Sequence, residues 1–356
     1  MQEQIKNQSH SVGVTYGLLS ALLFGLSTPF AKVLVGTVEP MMLAGLLYLG
    51  SGLGLSVLWL FNRLRTPERF NPIKKKELPY LMGAIAFGGV LSPVLLMFGL
   101  SMTLGSTAAL LLNLEGVLAA VLAWVFFKEN YDRRIVFGMA AIALGGIALS
   151  VTGQGGFSLS WGCGLIVLSC LGWAIDNNLT RNVAHADAVQ ITLIKGLCAG
   201  SVNLTIALCL GGAIPSAVPV FAAMVVGFLG YGLSLVLFVL ALRYLGTART
   251  GAYFSTAPFV GAVAAILLLK EPVTLQLGLA AAFMAIGVWL HLTEHHEHVH
   301  EHEEMEHEHE HTHDDHHQHE HTHEDPIGEP HTHAHRHEKL IHSHPHYPDM
   351  HHRHEH

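Results

Sequence analysis

The sequence predicts an all-α polytopic membrane protein with about ten transmembrane helices, arranged as two inverted five-helix repeats and followed by a disordered, histidine-rich tail. Three observations lead to this fold class: a series of long apolar runs, an internal repeat, and a change of composition near residue 293. A helix needs about 20 mostly apolar residues to cross a bilayer. Ten such runs, numbered here as spans 1 to 10, lie at 12–34, 41–61, 79–101, 105–127, 134–151, 161–181, 188–210, 218–241, 247–269 and 273–292.

Lysine and arginine are distributed unevenly among the loops between the spans. The loops at 62–78 and 128–133 are rich in these residues, whereas those at 36–40, 102–104 and 211–217 contain none. Positively charged loops of membrane proteins tend to stay in the cytoplasm. With an even number of spans, the pattern predicts that both termini are cytoplasmic and that the protein lies in the plasma membrane, the inner membrane of a bacterium.

One five-span unit occurs twice along the chain. The segment LNLEGVLAAVLAWVFFKE at Leu112–Glu129 aligns without gaps with FSTAPFVGAVAAILLLKE at Phe254–Glu271. Just upstream, Leu-Gly-Ser-Thr at 104–107 corresponds to Leu-Gly-Thr-Ala at 245–248. Because five is odd, the second copy enters the membrane from the opposite side. This inversion explains why Lys270 falls in a loop that is otherwise free of basic residues.

These features divide the chain into five segments. They are a cytoplasmic N-terminus (1–11), a first five-span repeat (12–151), an external linker (152–160), a second repeat (161–292) and a cytoplasmic tail (293–356). Inverted repeats can alternate between an inward-open and an outward-open arrangement around a site at the midplane, which favours a transporter. The body contains no phosphate-binding loop, nucleophile elbow or His-Glu-x-x-His motif, so we do not expect an enzyme.

Together these residues resemble the drug/metabolite transporter superfamily, in its EamA-type form with the EamA domain present twice. The resemblance rests on the two five-span halves, the Leu-Gly-Ser/Thr element before spans 4 and 9, and the Lys-Glu pair that ends each of those spans. It extends over about residues 12–292, and Ala241–Pro272 is especially similar to the family pattern. It implies a secondary transporter that exports a small solute by alternating access. It does not identify the solute.

Ionisable side chains inside the spans are candidates for the transport pathway, because a charge in a bilayer is costly and usually faces a cavity or a partner. Glu115 lies near the middle of span 4, two residues after Asn113. Its apolar neighbours favour a carboxyl that can carry a proton, although a structural hydrogen bond to a neighbouring helix is the alternative. Asp176, beside Asn177, and Lys195 lie at comparable depth on consecutive spans. Such a pair would be either a structural salt bridge or part of substrate binding or gating.

Three prolines lie inside predicted spans and are candidate helix breaks. Pro29, Pro93 and Pro258 belong to spans 1, 3 and 9. Broken helices expose backbone groups that can line a cavity, but such prolines are also common in packed spans. The four cysteines all fall within spans without a Cys-x-x-Cys pair, and we interpret them as packing residues.

The tail differs chemically from the body. Residues 293–356 hold 25 of the 28 histidines and a formal charge of −14, against +6 for residues 1–292. They contain too few apolar residues to fold alone, which predicts disorder in the absence of metal. Closely spaced neutral imidazoles suit Zn²⁺, Ni²⁺, Co²⁺ or Cu²⁺, although a polyelectrolyte spacer or a pH-responsive tether would have the same composition. The candidate ligands are His307, His309, His311, His313, His316, His317, His319, His321, His323, His331, His333, His335 and His337.

Three functions remain open from the sequence. The first is a secondary transporter of a small solute whose tail binds divalent metal, the second a Ni/Co/Zn efflux transporter, and the third a membrane-tethered metal buffer or sensor. The spans lack a cluster of His, Asp or Cys, which favours the first. We expect no required cofactor, with metal bound only by the tail. Expected partners are the lipid bilayer and a small-molecule or metal-ion substrate, without nucleic acid, and we allow for a homodimer.

Overall fold

The structure is a computed structural model in which the chain forms two compact units, Met1–Thr293 and Glu294–His356. The described part of the first unit consists of helices and one short strand pair, and that of the second contains short strands. The residues described are 2–65, 73–127, 133–152, 158–183, 187–292, 297–302, 305–311, 331–337 and 340–345.

The first half contains seven α-helices that correspond to spans 1 to 5. They are α1 (Gln2–Val35), α2 (Pro40–Arg65), α3 (Leu78–Ala84), α4 (Ser92–Met102), α5 (Gly105–Leu111), α6 (Leu114–Phe127) and α7 (Arg133–Ser150). A 3₁₀ turn, Lys75–Glu77, precedes α3. The π-helical segment Ile85–Leu91 joins α3 to α4, so these three pieces form span 3. Helices α5 and α6 form span 4, with a break at 112–113 between them.

The second half contains six α-helices that correspond to spans 6 to 10. They are α8 (Trp161–Thr180), α9 (Ala188–Cys209), α10 (Ala217–Gly227), α11 (Ser234–Phe254), α12 (Ala257–Leu269) and α13 (Leu275–Leu292). The π-helical segment Phe228–Leu233 joins α10 to α11, and a 3₁₀ turn, Arg181–Val183, extends α8. Strands β1 (Val151–Thr152) and β2 (Ser158–Leu159) pair antiparallel in the linker between the halves.

The polytopic helical fold predicted from the sequence is confirmed. Among the described residues, eight helical segments are long and apolar enough to cross a membrane. Two shorter apolar helices, Ala257–Leu269 and Leu275–Leu290, occupy the positions of spans 9 and 10. The chain is therefore an integral membrane protein in contact with the lipid bilayer.

Span 9 begins differently from the prediction. Helix α11 continues through the predicted turn near 242–246 and ends only at Phe254. The chain then turns at 255–256, where the amide of Thr256 donates to the carbonyl of Tyr253 at 3.2 Å. Pro258 lies in the first turn of α12. A proline fits there because the first N–H groups of a helix have no partner within that helix.

The three prolines differ in their effect on the helices. Helix α1 runs without interruption through Pro29, so the break predicted at this position is absent. Within a membrane bundle, neighbouring helices and local adjustments can compensate for the missing N–H of a proline. Pro93 lies in the first turn of α4, directly after a π-helical segment.

The two halves share the same irregularities at corresponding places. A π-helical segment occurs in span 3 and another in span 8. A short break divides span 4 at 112–113, and the break at 255–256 precedes α12 in span 9. Because π-helical segments are rare, their recurrence supports the duplication inferred from the sequence.

Helix packing is also repeated between the halves. Helices α2 and α9, and α7 and α13, pack against each other, and in both pairs a helix contacts its own counterpart in the other repeat; α5 of span 4 also packs against α12 of span 9. The helix α8 packs against α4 and α6, and α1 packs in the same way against α11 and α12. We therefore name two groups: the first group is spans 3, 4 and 6, and the second group is spans 1, 8 and 9.

Small residues allow the central pair of helices, α2 and α9, to approach closely. A Cβ atom on Gly52 would lie 2.5 Å from the backbone nitrogen of Leu197, and one on Gly196 would lie 2.6 Å from that of Gly52. Contacts of this kind are typical of packing between membrane helices, where no hydrophobic driving force separates protein from lipid. The pair α2–α9 therefore forms a tight connection between the two repeats.

The described part of the tail contains four strands. They are β3 (Glu297–His302), β4 (Met305–His311), β5 (His331–His337) and β6 (Leu340–Pro345). Strand β3 pairs antiparallel with β6, and β4 with β5. The sequence predicts disorder for the whole tail, so these strands are a difference from the prediction. The alternation of histidine with other residues has the two-residue period of a strand.

Candidate functional site

Asp176 and Lys195 form an ion pair between spans 6 and 7. The ammonium nitrogen of Lys195 lies 2.6 Å from Oδ1 and 2.5 Å from Oδ2 of the carboxylate. Thr180, one turn further along α8, donates to Oδ1 at 2.8 Å. The side chains are only 7% and 16% exposed for Asp176 and Lys195. Both charges are thus largely removed from the surface, and each is compensated by the other.

The π-helical segment of span 3 provides the space for this pair. A Cβ atom on Gly88 would overlap with the carboxylate of Asp176. The amide of Ser92 donates to the carbonyl of Phe87, and Pro93 has no N–H to donate. The carbonyl of Gly88 therefore lacks its usual donors from the helix, and side chains from other spans can reach it.

Tyr48 and Trp173 bind this exposed carbonyl. The hydroxyl of Tyr48, in span 2, donates to the oxygen of Gly88 at 2.8 Å. The indole nitrogen of Trp173, in span 6, donates to the same oxygen at 2.9 Å. A buried carbonyl without a partner would be costly, so these two donors stabilise the irregular segment against which the ion pair packs.

Glu115 lies in the first turn of α6, directly after the break in span 4, and is half-buried. The side-chain amide of Asn177, in span 6, donates to its Oε1 at 2.8 Å. Asn178 donates to the carbonyl of Ala119 at 3.2 Å, which joins the same two helices a second time. The charges of Asp176 and Lys195 lie within electrostatic range of Glu115. The two acids therefore belong to one polar cluster.

The remaining predicted residues make no hydrogen bond that the structure shows to Glu115, Asp176 or Lys195. The amide of Asn113 is buried at the break in span 4, where it donates to the carbonyl of Leu110 at 3.1 Å and contacts the sulfur of Met284 at 3.9 Å. Pro93 ends the π-helical segment next to the cluster, whereas Pro29 lies within α1 and Pro258 in α12.

The corresponding position in the second group carries no charge. A Cβ atom on Gly230, in the π-helical segment of span 8, would lie 2.5 Å from Cβ of Ser27 in span 1. Gly88 faces Asp176 in span 6 in the same manner. The repeat thus relates Ser27 to Asp176. The packing of a π-helical glycine against a neighbouring span thus occurs in both groups, whereas the charged side chain occurs only at the position of Asp176.

A row of aromatic side chains connects the two groups. Trp173 contacts the hydroxyl of Tyr48, with 3.3 Å between the indole nitrogen and the phenol oxygen. The ring centroids of Tyr48 and Tyr231 are 5.7 Å apart, and those of Tyr231 and Phe24 are 6.0 Å apart. Sequence analysis did not single out these residues, because aromatic side chains in apolar spans have no distinctive pattern. The glycines that flank Tyr231 were the one available signal.

The register of the tail strands brings histidines opposite one another. His307 pairs with His335, His309 with His333 and His311 with His331, while His337 pairs with Met305. Among the side chains that the structure describes, no group of three or more His, Cys, Asp or Glu is arranged to hold a metal ion. The other candidate ligands lie outside the described residues: His313, His316, His317, His319, His321 and His323.

This chain has two inverted helical halves and a polar cluster between its spans. That architecture is typical of a membrane transporter. The chain belongs to the EamA-like transporter family, whose pattern matches residues 11–152 and again residues 160–293. The resemblance noted in the sequence is thereby confirmed. The family indicates a transporter of small solutes rather than an enzyme.

Comparison with individual proteins agrees with this assignment. An uncharacterized transporter of Methanothermobacter thermautotrophicus is 26% identical over 291 residues, which cover 77% of this chain and 84% of that protein. A crystal structure of a protein with 16% identity aligns with a TM-score of 0.59 and covers 80% of this chain and 98% of its own. At this identity the second match concerns the fold alone.

Proposed function

We propose that the protein is a secondary transporter that exports a small solute from the cytoplasm by alternating access, with Glu115, Asn177, Asp176 and Lys195 in the transport pathway. The observation that carries the proposal is the polar cluster itself. Two acids and one base meet between spans 4, 6 and 7, beside a helix break and a π-helical segment. Charged groups at this depth are costly, and are usually retained for substrates, ions or protons.

The packing supports a rocking movement of two groups. Spans 3, 4 and 6 pack together, as do spans 1, 8 and 9, while the remaining spans pair with their own counterparts. In inverted-repeat transporters, one bundle moves against the other around a fixed site. The aromatic row from Trp173 to Phe24 lies between these groups, and would have to separate or slide as they move.

Glu115 is our candidate for the coupling residue. Its carboxylate is bonded to the neutral amide of Asn177, whereas Asp176 is neutralised directly by Lys195. A carboxyl without a basic partner at hydrogen-bond distance can exchange a proton at a smaller cost than one in a close ion pair. Glu115 therefore suits proton coupling, and Asp176 with Lys195 suits gating or substrate binding.

We further propose that the protein lies in the plasma membrane with both termini in the cytoplasm, and that the tail binds divalent metal there. The charge distribution of the loops supports the orientation. The cross-strand pairs His307–His335 and His309–His333 support metal binding, because neighbouring strands bring facing residues within reach of one ion. The tail would regulate the transporter or collect metal, outside the permeation path.

The cargo can be tested by comparing cells that differ only in this protein. We expect cells with the intact protein to accumulate at least one small organic solute in the medium, and cells with Glu115→Gln or with the empty vector not to. Mass spectrometry of medium and cytosol measures the solutes. Cellular Ni, Co and Zn are measured in the same cultures under graded metal stress. Lower cellular metal with unchanged organic solutes would instead identify a metal exporter, and no difference in either would contradict transport.

A further inference from the structure

Glu271 connects the two groups at one membrane face. Its Oε1 accepts a hydrogen bond from the backbone N–H of Gly105 at 2.7 Å, and its Oε2 accepts one from Ser106 at 2.8 Å. The donors belong to the first turn of α5 in span 4, where backbone N–H groups have no partner within the helix. Glu271 follows α12 in span 9. The contact therefore joins the first group to the second.

The surroundings of Glu271 are shaped to hold its carboxylate. Glu271 is only 9% exposed. A Cβ atom on Gly105 would lie 3.2 Å from Oε1, so the absence of a side chain at this position leaves room for the carboxylate. Lys270 has a left-handed backbone (φ 54°), which is uncommon for a residue with a side chain and ends α12 just before the acid.

Lys32 makes a second contact between the two groups near Glu271. Its ammonium nitrogen lies 2.6 Å from the carbonyl oxygen of Leu100, and its charge is within electrostatic range of Glu271. Lys32 belongs to span 1 and Leu100 to span 3, so this second contact also joins the two groups. At the face that contains residues 102–104 and 270–274, the groups are thus held by charge-assisted hydrogen bonds, which are stronger than neutral ones.

The sequence contains the same elements at the other end of the repeat. The acid at the end of span 4 that corresponds to Glu271 is Glu129, which lies outside the described residues. The residues that correspond to Gly105 and Ser106 are Gly246 and Thr247. Because the repeats are inverted, the sequence predicts this second set at the opposite membrane face.

We propose that Glu271 is a latch: its hydrogen bonds to Gly105 and Ser106 close this face of the transporter and must break each time the face opens. The inference rests on the proposed transport function. A static cap on α5 would keep its hydrogen bonds in every state, whereas a latch keeps them only while its own face is closed.

The test measures access to the polar cluster from each side of the membrane. The reporter is Gly116→Cys, next to Glu115, at a position where an added Cβ would meet no atom within 4 Å. It is placed in a background of Cys198→Ser and Cys209→Ser, because these two native cysteines are exposed. A membrane-impermeant maleimide is applied to right-side-out and to inside-out vesicles, and the labelling rates are compared.

Two variants break the latch from its two sides. Glu271→Gln removes the charge of the acceptor, and Gly105→Ala places a Cβ 3.2 Å from Oε1, so that the carboxylate must shift by a few tenths of an ångström. Glu39→Gln is the control, since Glu39 is an exposed acid in another loop of the same predicted face. We expect labelling from the Glu271 face to rise roughly tenfold in Glu271→Gln, as when one charge-assisted hydrogen bond favouring one state is lost, and to rise less in Gly105→Ala, while labelling from the opposite face falls.

The outcomes separate the latch from the proposed function. A rise confined to the Glu271 face in either folded latch variant, absent from Glu39→Gln, supports the latch. Labelling that is unchanged, or that rises equally from both faces, overturns it and leaves the transporter intact. If the parent protein with the reporter is not labelled from both sides, alternating access itself is overturned.

Discussion

The carboxylate of Asp176 lies against the Cα atom of Gly88, so closely that any side chain on Gly88 would overlap with Oδ2. Gly88 belongs to the π-helical segment of span 3, and Asp176 to span 6. The position of the ion pair with Lys195 therefore depends on an irregular turn in a neighbouring helix.

This relationship predicts the effect of a single methyl group. In Gly88→Ala the new Cβ must displace Asp176 or straighten the π-helical segment, at a cost of about 1–3 kcal/mol, as for other overpacked sites. We expect a lower thermal transition of the detergent-solubilised protein and reduced export. Gly116→Ala is the matched control, because a Cβ there meets no atom within 4 Å. Equal stability and export in the two variants would contradict the packing role of Gly88.

The ion pair can be tested by removing one charge and then both. Lys195→Met leaves Asp176 buried without its partner, which should cost about 3–5 kcal/mol of folding free energy. The double variant Asp176→Asn, Lys195→Met should recover most of that stability, because no unpaired charge remains. We predict that it does not recover export. Thermal stability and export are measured on the same preparations, and recovery of both would make the pair a structural salt bridge.

Much of the fold could be predicted from the sequence because it follows from local composition. The apolar runs, the recurrence of Leu112–Glu129 at Phe254–Glu271, and the charge of the loops each depend on residues close together in the chain. The pairing of Asp176 with Lys195 followed from the same logic, since consecutive antiparallel spans bring residues of similar depth together.

The parts that could not be predicted depend on contacts between distant spans. The π-helical segment at Ile85–Leu91 is stabilised by donors from Tyr48 and Trp173, and nothing in its own apolar sequence requires it. The same applies to Glu271, whose partners lie in span 4. Pro29 shows the converse, because a local helix-breaking signal was overridden and α1 remained continuous.

Glu115→Gln should separate proton coupling from structure. The side-chain carbonyl of glutamine can still accept the hydrogen bond that Asn177 donates to Oε1, so we expect normal insertion and stability. The amide cannot bind or release a proton. We therefore expect export to fall at least about tenfold, or to lose its dependence on pH, as is usual for an essential proton-transfer group. The measurement is the flux of the solute identified in the cell comparison, in proteoliposomes between about pH 6 and 8. Normal flux with an unaltered pH profile would reduce Glu115 to a structural role.

The orientation can be tested with reporter fusions. A reporter that is active only in the cytoplasm is fused after residue 292, and a reporter that is active only outside the cytoplasm is inserted within 152–160. Both reporters should be active. We expect these two results because the linker loop contains no lysine or arginine, whereas the cytoplasmic loops are rich in both. The opposite pair of results would contradict the predicted orientation and would put Glu271 at the cytoplasmic face.

The tail should affect regulation and not permeation. The helical unit is compact up to Thr293, and the tail forms a unit of its own. A protein that ends at Leu292 should therefore insert and retain basal export, and lose any response of export to Ni²⁺ or Zn²⁺. The tail peptide should bind these ions at about pH 7.5 and release them near about pH 5, because protonation through about pH 6.5 removes the imidazole lone pair that binds metal. Isothermal titration of the peptide at both pH values measures this directly.

The register of the strands supplies a control for the tail. His309 pairs with His333, so replacing these two by alanine should weaken metal binding more than replacing His302 and His337, which pair with Leu340 and Met305. Equal losses would indicate binding by histidine density alone, without a requirement for facing histidines. If a correctly inserted protein without the tail exports nothing, the tail takes part in the transport cycle, and the division between a transporting body and a metal-binding regulator is wrong.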